Sequence, residues 1–292
     1  MRVGYVVIRF YSPFHVGRYG LYDTYDYVPS DTIYAALEKL SRETGLERPV
    51  RVSSAYPVLQ SGGRPELRLG VPFPATWKLD LLREASEKGL PLKDVRALRF
   101  MPLACLKGGR LAVELVEAKR GIRVVCMAGS DEVDVALWNE GLGQRVALTR
   151  NRLSRNLQNA DPFRTAAFMP RVPYVVYYAG GDPRLFELLG LLGLGGERSV
   201  GLGKFKIIEQ GDVDLPAGGR EAVLLGVGRP VKYEAALGEW AVRSWRCTEG
   251  TVGPLSVLLD GGVVRGDFEF ENVERVDKPC SRMLAPLWAW LS

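Results

Sequence analysis

A single histidine, His15, serves the whole 292-residue chain, and the four cysteines, Cys105, Cys126, Cys247 and Cys280, are widely spaced with no C-x-x-C pair. A structural zinc site draws several ligands from those two residue types, so the usual finger and ribbon patterns are excluded. The same spacing predicts no disulfide framework. No internal repeat with a period of roughly 20 to 50 residues is present, which excludes solenoids and propellers. Ser53-Ser54 lacks a G-x-S-x-G context and no histidine follows it, so a Ser-His-acid hydrolase is not predicted. Carboxylates do gather at Asp131, Glu132 and Asp134, at Asp212 and Asp214, and at Asp267, Glu269 and Glu271, but in patterns typical of solvated turns and charged strand edges. Neither a metal nor a cofactor is expected. The opening segment, Met1 to Tyr11, mixes Arg2 and Arg9 with β-branched and aromatic residues, unlike a signal peptide or a membrane span. The expectation is a soluble, cytoplasmic protein with no membrane partner.

What is abundant is arginine. Of the 39 basic residues 29 are arginine, and the net charge is +5. The planar guanidinium grips phosphate with two hydrogen bonds and stacks on bases, so position matters more than the total. With 47% hydrophobic residues the chain can bury one sizeable core or two modest ones.

Val3 to Tyr11 reads as a strand ended by Ser12-Pro13. Ser30 and Asp31 offer an N-cap and a first-turn acid to a helix whose apolar positions are Ile33, Ala36, Leu37 and Leu40, closed by Gly45. Residues 46 to 78 are punctuated by glycine and proline. A helix is predicted over Leu79 to Lys88, then short strands near Arg99 to Ala104, Arg110 to Glu117 and Ile122 to Met127. Strands at Gln144 to Thr149 and Pro173 to Ala179 flank a polar, arginine-bearing segment. Asp182-Pro183 starts a helix with Leu185, Phe186, Leu188, Leu189 and Leu192 on its apolar face, stopped by Gly193, and Lys204 to Glu209 is a strand. This order fits an α+β, ferredoxin-like (RRM-like) module with long insertions over residues 1–212. Further short strands and the apolar stretch from Met283 to Leu291 suggest a smaller, mostly β module over 213–292.

Five glycines fall between Gly193 and Gly203, with Arg198, Lys204 and Lys206 beside them. Such backbone lets N–H groups approach a phosphate, or another chain segment, without a Cβ in the way. Phe205 after Lys204 excludes a Walker motif, and a helix running into a strand is the reverse of the Rossmann arrangement.

The form G-h-G-x-x-x-x-x-G-x-G-x-F between helix and strand resembles the signature of the RAMP superfamily of CRISPR proteins. Within it, Phe14-His15-Val16-Gly17 followed by Ser30-Asp31-Thr32-Ile33 is similar to the Cas-five group of type III effectors. Ser53 to Pro57, Pro72-Phe73-Pro74 and Arg150 to Arg155 come in the order seen in the family of the fourth Csm subunit. Beyond about residue 213 the match is loose, so the C-terminal module is taken as a degenerate second RAMP-like unit. The resemblance implies a non-catalytic subunit that grips the repeat-derived 5′ tag of crRNA. It also implies docking to the large polymerase-like subunit and contact with the backbone RAMP subunits.

Between Arg145 and Arg171 lie six arginines against one acid, Asp161. Asn151, Asn156 and Asn159 can bond base edges or the 2′-hydroxyl, and Phe163 and Phe168 offer stacking surfaces. By resemblance, residues 144–172 are a thumb-like extension pressing on the guide. The expected RNA-facing set is His15, Ser53, Ser54, Arg145, Arg150, Asn151, Arg152, Arg155, Gly193, Gly195, Gly196, Arg198, Ser199, Gly201, Gly203 and Lys204. The alternative function is metal-independent guide-RNA processing. That chemistry needs one group to take the 2′-hydroxyl proton and another to protonate the leaving oxygen, and His15 is the one histidine for either role.

Overall fold

The computed structural model describes residues 1–17, 22–59, 65–107, 111–112, 117–118, 121–128, 131–153, 160–247, 250–275 and 280–291. Strand β1 (Arg2–Phe10) is the spine of the main sheet. Val6, Val7 and Ile8 are at most 1% exposed because strands flank β1 on both sides.

Helix α1 (Ser30–Thr44) buries Ile33, Leu37 and Leu40 as the periodicity predicts, and Gly45, at φ 75°, ends it by donating its N–H to the Ser41 carbonyl. Its start differs from expectation. Pro29 holds the N-cap position and no side chain caps the helix. The Ser30 hydroxyl instead accepts the Val227 N–H at 2.9 Å, while Asp31, fully buried, accepts the Trp245 indole N–H and pairs with Arg243 at 3.3 Å. Residues that could have capped their own helix are taken up by the C-terminal part of the chain.

Short strands β2 (Arg51–Val52) and β3 (Tyr56–Pro57) follow, in the stretch punctuated by glycine and proline, where no strand is predicted. Helix α2 (Ala75–Glu87) starts earlier than Leu79, because Pro74 presets the cap geometry and the Ala75 N–H finds the Gly261 carbonyl at 2.8 Å. The long hairpin of β4 (Gly143–Leu153) and β5 (Ala160–Pro170) comes next, with Arg145 opposite Phe168 and Arg150 opposite Phe163. The arginine segment is therefore paired strand along much of its length, not a polar loop between strands.

Strand β6 (Tyr174–Ala179), helix α3 (Arg184–Leu192) and strand β7 (Phe205–Asp214) complete this layer. The sheet runs β7-β1-β6-β2, with β3 also on β6, and every pairing is antiparallel. Helix α3 buries Leu185, Phe186 and Leu189, and Phe186 packs on Tyr178 at 5.2 Å. Leu192, expected on that face, is 50% exposed, because Gly193 turns the chain so that Leu194 fills that end of the core instead.

The C-terminal part carries β8 (Glu221–Leu224), β9 (Ala235–Leu237), β10 (Trp240–Cys247), β11 (Gly250–Leu258), β12 (Val263–Arg265) and β13 (Trp288–Leu291). They form a sheet ordered β9-β12-β8-β13 and a separate β10–β11 hairpin. Val213, Leu215, Val223, Leu225, Leu287 and Ala289 join the same buried cluster as Val6, Leu37 and Tyr177, so one core runs across residue 213. Asp260 adds a polar tie: half-buried, it accepts from Tyr27 at 2.8 Å and Tyr56 at 2.7 Å.

One expectation from the cysteine spacing is overturned. Cys105 and Cys126 are joined by a disulfide, with Cα atoms 6.0 Å apart. The intervening chain doubles back, placing Leu111 opposite Cys126, and such proximity is invisible in residue spacing.

Candidate nucleic-acid interface

The loop after β1, Ser12 to His15, joins three elements. Phe14 exchanges backbone hydrogen bonds with Phe168 of β5 at 2.9 and 2.8 Å. On its other side, the Gly196 N–H reaches the His15 carbonyl at 2.7 Å, the Gly203 N–H reaches Pro13 at 2.8 Å, and the Lys204 N–H reaches the Ser12 hydroxyl at 2.8 Å. The arginine hairpin and the glycine-rich loop are thus stitched to one another through four residues.

His15 is central to that seam. Its ring is 6% exposed and its Nδ1 lies 2.6 Å from the Ala166 carbonyl. A carbonyl only accepts, so Nδ1 carries a proton and donates it to Ala166, which fixes the orientation of the ring. The arrangement suits a positioning residue.

The glycine-rich loop is not an open cradle of N–H groups. The N–H groups of Gly193, Leu194, Gly196, Gly201 and Gly203 all donate to carbonyls of the chain itself. A Cβ at Gly195 (φ 97°) would lie 2.5 Å from the His15 oxygen, and one at Gly203 (φ 73°) 2.0 Å from the Leu194 oxygen. These glycines let the loop pack against itself and the Ser12–His15 segment. Gly201 has nothing within 4 Å of such a Cβ, and Gly196 and Ser199 are exposed, so this is the outward side of the loop. Arg198 and Lys204 are half-buried beside it.

Arg145 is exposed and paired with Asp23 at 3.0 Å, and Arg150 is ion-paired with Glu197. Arg164 is exposed. The side chains of Asn151 and Arg152, and residues Arg155, Asn156 and Asn159, lie outside the described residues. Phe163 is half-buried, but Phe168, expected as a stacking surface, is 5% exposed and packs on Phe14 at 5.6 Å.

Ser53 and Ser54 leave the RNA-facing set altogether. Both are fully buried. The Ser53 hydroxyl donates to the Ser54 carbonyl at 2.6 Å and accepts the Tyr177 N–H, and the Ser54 hydroxyl accepts the Ser30 N–H at 2.8 Å. Their polarity satisfies backbone groups inside the core. Glu132 and Asp134 share Arg123, at 2.7 and 3.2 Å, and no His/Cys/Asp/Glu group that could hold a metal ion occurs among the described residues. A residue the sequence argument passed over is Glu197, the one acid inside the glycine-rich loop. A carboxylate amid glycines and cations was the available signal.

A separate cleft of about 530 Å³ lies between the α2 region and the loops around Glu239 and Asp260. Lys78 lines it, with its ammonium pushed below the usual lysine range by burial and donating to the Leu98 carbonyl at 2.7 Å.

Solved structures share this architecture from end to end. A chain of the crystal structure of a Csm1–Csm4 cassette in complex with cA4 is 16% identical, covers 100% of this chain and 99% of its own, and superposes with a TM-score of 0.52. The fold is that of a Csm1–Csm4 cassette chain. The same cassette in complex with pppApA gives 16% identity, 100% and 99% coverage and a TM-score of 0.51. A Csm3–Csm4 subcomplex of a type III-A interference complex gives 13% identity, 98% and 99% coverage and a TM-score of 0.48. The likeness in fold extends along the whole chain. No protein-family model and no curated protein matches the sequence. Among the described residues, no helix is long and apolar enough to cross a membrane.

Proposed function

We propose that this chain is a non-catalytic, RNA-binding subunit of a type III CRISPR effector complex. In this reading it holds the 5′ repeat-derived tag of crRNA and docks the large polymerase-like subunit. The observation that carries the reading is the seam at Ser12–His15, which joins an arginine-bearing hairpin to a glycine-rich loop. Such a surface sets the cations of the hairpin beside the outward side of the loop, at Gly196, Ser199 and Gly201, a combination suited to sequence-tolerant contact with single-stranded RNA.

The strand order supports a ferredoxin-like RAMP core. Taking β2 and β3 together as its second strand, the sheet reads fourth-first-third-second, with a helix after the first strand and another after the third. Residues 213–292 are then a second module fused onto that core. The Csm1–Csm4 and Csm3–Csm4 assemblies of the structural neighbours suggest the protein partners.

Catalysis is not part of the proposal. His15 is nearly enclosed and one ring nitrogen is engaged by a backbone carbonyl, a setting that suits positioning rather than proton transfer.

The test is binding of a single-stranded RNA carrying a repeat-derived tag against a scrambled RNA of equal length. Tighter binding of the tag, with affinity falling by about 0.7 log unit per log unit of salt for each phosphate contact, is expected. Equal affinity would remove tag recognition. Precursor RNA incubated with the protein in chelator should stay intact; discrete products lost in His15→Ala would overturn the non-catalytic assignment.

A further inference from the structure

Over most of their length, β1 and β7 oppose residues that suit one another. Arg2 pairs with Asp212 at 3.0 Å, and the Tyr5 hydroxyl donates to Glu209 at 2.9 Å, where Arg68 also binds at 2.6 Å. The pattern breaks at the end nearest the glycine-rich loop. There Arg9 lies directly opposite Lys206. Both are exposed, and neither has a carboxylate partner among the described residues.

Like charges directly opposite one another destabilise a sheet. Strand β7 is the edge of this sheet, and a charge there has a structural use, since it discourages pairing with other chains. One charge suffices for that purpose, and it need not sit on the inner strand. Here the second cation is on β1, and a third feature adjoins them. The Tyr11 N–H donates to the Lys204 carbonyl at 3.1 Å, so the ladder continues past Phe10. Tyr11 follows Arg9 by two residues, just past the end of β1, and its bond to Lys204 keeps it against the strand that carries Lys206. Its ring is 55% exposed. Two opposed cations and an open aromatic ring, one strand residue apart, match the phosphate and base of one nucleotide.

We propose that Arg9, Lys206 and Tyr11 form a one-nucleotide subsite for single-stranded RNA. The two cations share one backbone phosphate, and the Tyr11 ring takes the adjoining base. This rests on the RNA-binding reading above and adds a surface at the sheet edge that the glycine-rich loop and the hairpin do not provide. The shared phosphate relieves the repulsion between Arg9 and Lys206, so the pair is costly without RNA and compensated with it.

Fluorescence anisotropy with a labelled single-stranded RNA, repeated across a salt series, tests this on the full-length chain. Arg9→Ala and Lys206→Ala should each lower the slope of log affinity against log salt by about 0.7, and the double variant should lower it no further, since one phosphate is shared. Tyr11→Ala should weaken binding about fivefold to a hundredfold with the slope unchanged. Arg9→Glu, which sets opposite charges across the strands, should raise the thermal midpoint while weakening RNA binding. A double variant with the full wild-type slope, or Tyr11→Ala with undiminished affinity, overturns the subsite while leaving the broader RNA-binding reading in place. A wild-type chain that binds no RNA overturns both.

Discussion

Arg150 of the hairpin is ion-paired with Glu197, and Glu197 is the non-glycine residue held at a positive φ, 58°, among the described residues. A left-handed conformation costs an L-residue about 1–2 kcal/mol, so the pairing holds the acid where its own backbone would not choose to be. The carboxylate thus occupies the Arg150 guanidinium that the RNA-binding proposal would offer to a phosphate.

Glu197→Gln should therefore tighten single-stranded RNA binding by about two- to fivefold, the effect of removing a partly exposed competing charge. Anisotropy titration at fixed salt measures it. Weaker binding by the Gln variant would show that Glu197 positions Arg150 for RNA rather than competing for it.

The Asp31–Arg243 pair ties the first helix to the β10–β11 hairpin, with side chains 0% and 12% exposed. Removing one partner strands the other charge out of water. Asp31→Ala should cost about 3–5 kcal/mol in urea unfolding, and Asp31→Ala combined with Arg243→Met should recover part of that loss.

Acid stability should report on Glu209. The Arg68 guanidinium holds its carboxyl below the usual glutamate range, with a further lowering from the Tyr5 hydroxyl. A depressed folded value means stability that is present above the unfolded value, near 4.5, and is lost as pH falls through the folded one. Glu209→Gln should flatten the thermal midpoint against pH in that acid window. The Tyr5 phenol, pushed up to about 12 by burial and by its bond to Glu209, should resist ionisation in an ultraviolet titration through the range where free tyrosine titrates.

Reduction should destabilise the insertion that contains Cys105 and Cys126. The bridge closes a loop with a sequence separation of 21 residues, for which chain entropy predicts about 3 kcal/mol. Denaturant unfolding with and without dithiothreitol, beside Cys105→Ser with Cys126→Ser, checks it. Identical midpoints would show the bridge contributes nothing to stability.

Strand β1, helices α1 and α3 and the stop at Gly45 were legible in the sequence because each depends on local properties: apolar spacing, β-branched content and glycine freedom at positive φ. The hairpin was half legible. Gln144 to Thr149 alternates as a strand should, whereas the polar residues beyond it pair because β5 lies alongside. Among the candidate site residues, composition alone marks the glycines and arginines, and the structure brings the described ones to either side of the Ser12–His15 segment. Ser53 and Ser54 were placed on the wrong side of the surface.

What the sequence by itself determined was the main strands and helices, β1, α1, β6, α3 and β7, and the composition of loop and arginine segment. Only the tertiary structure decided that Ser30 and Asp31 serve the C-terminal strands instead of their own helix. The same holds for Phe168, packed inward on Phe14, for His15, held by Ala166, and for Cys105 meeting Cys126. The reason is common to all of them: a polar or aromatic side chain is bonded locally, solvated or buried according to which distant segment covers it, and no local pattern encodes that neighbour.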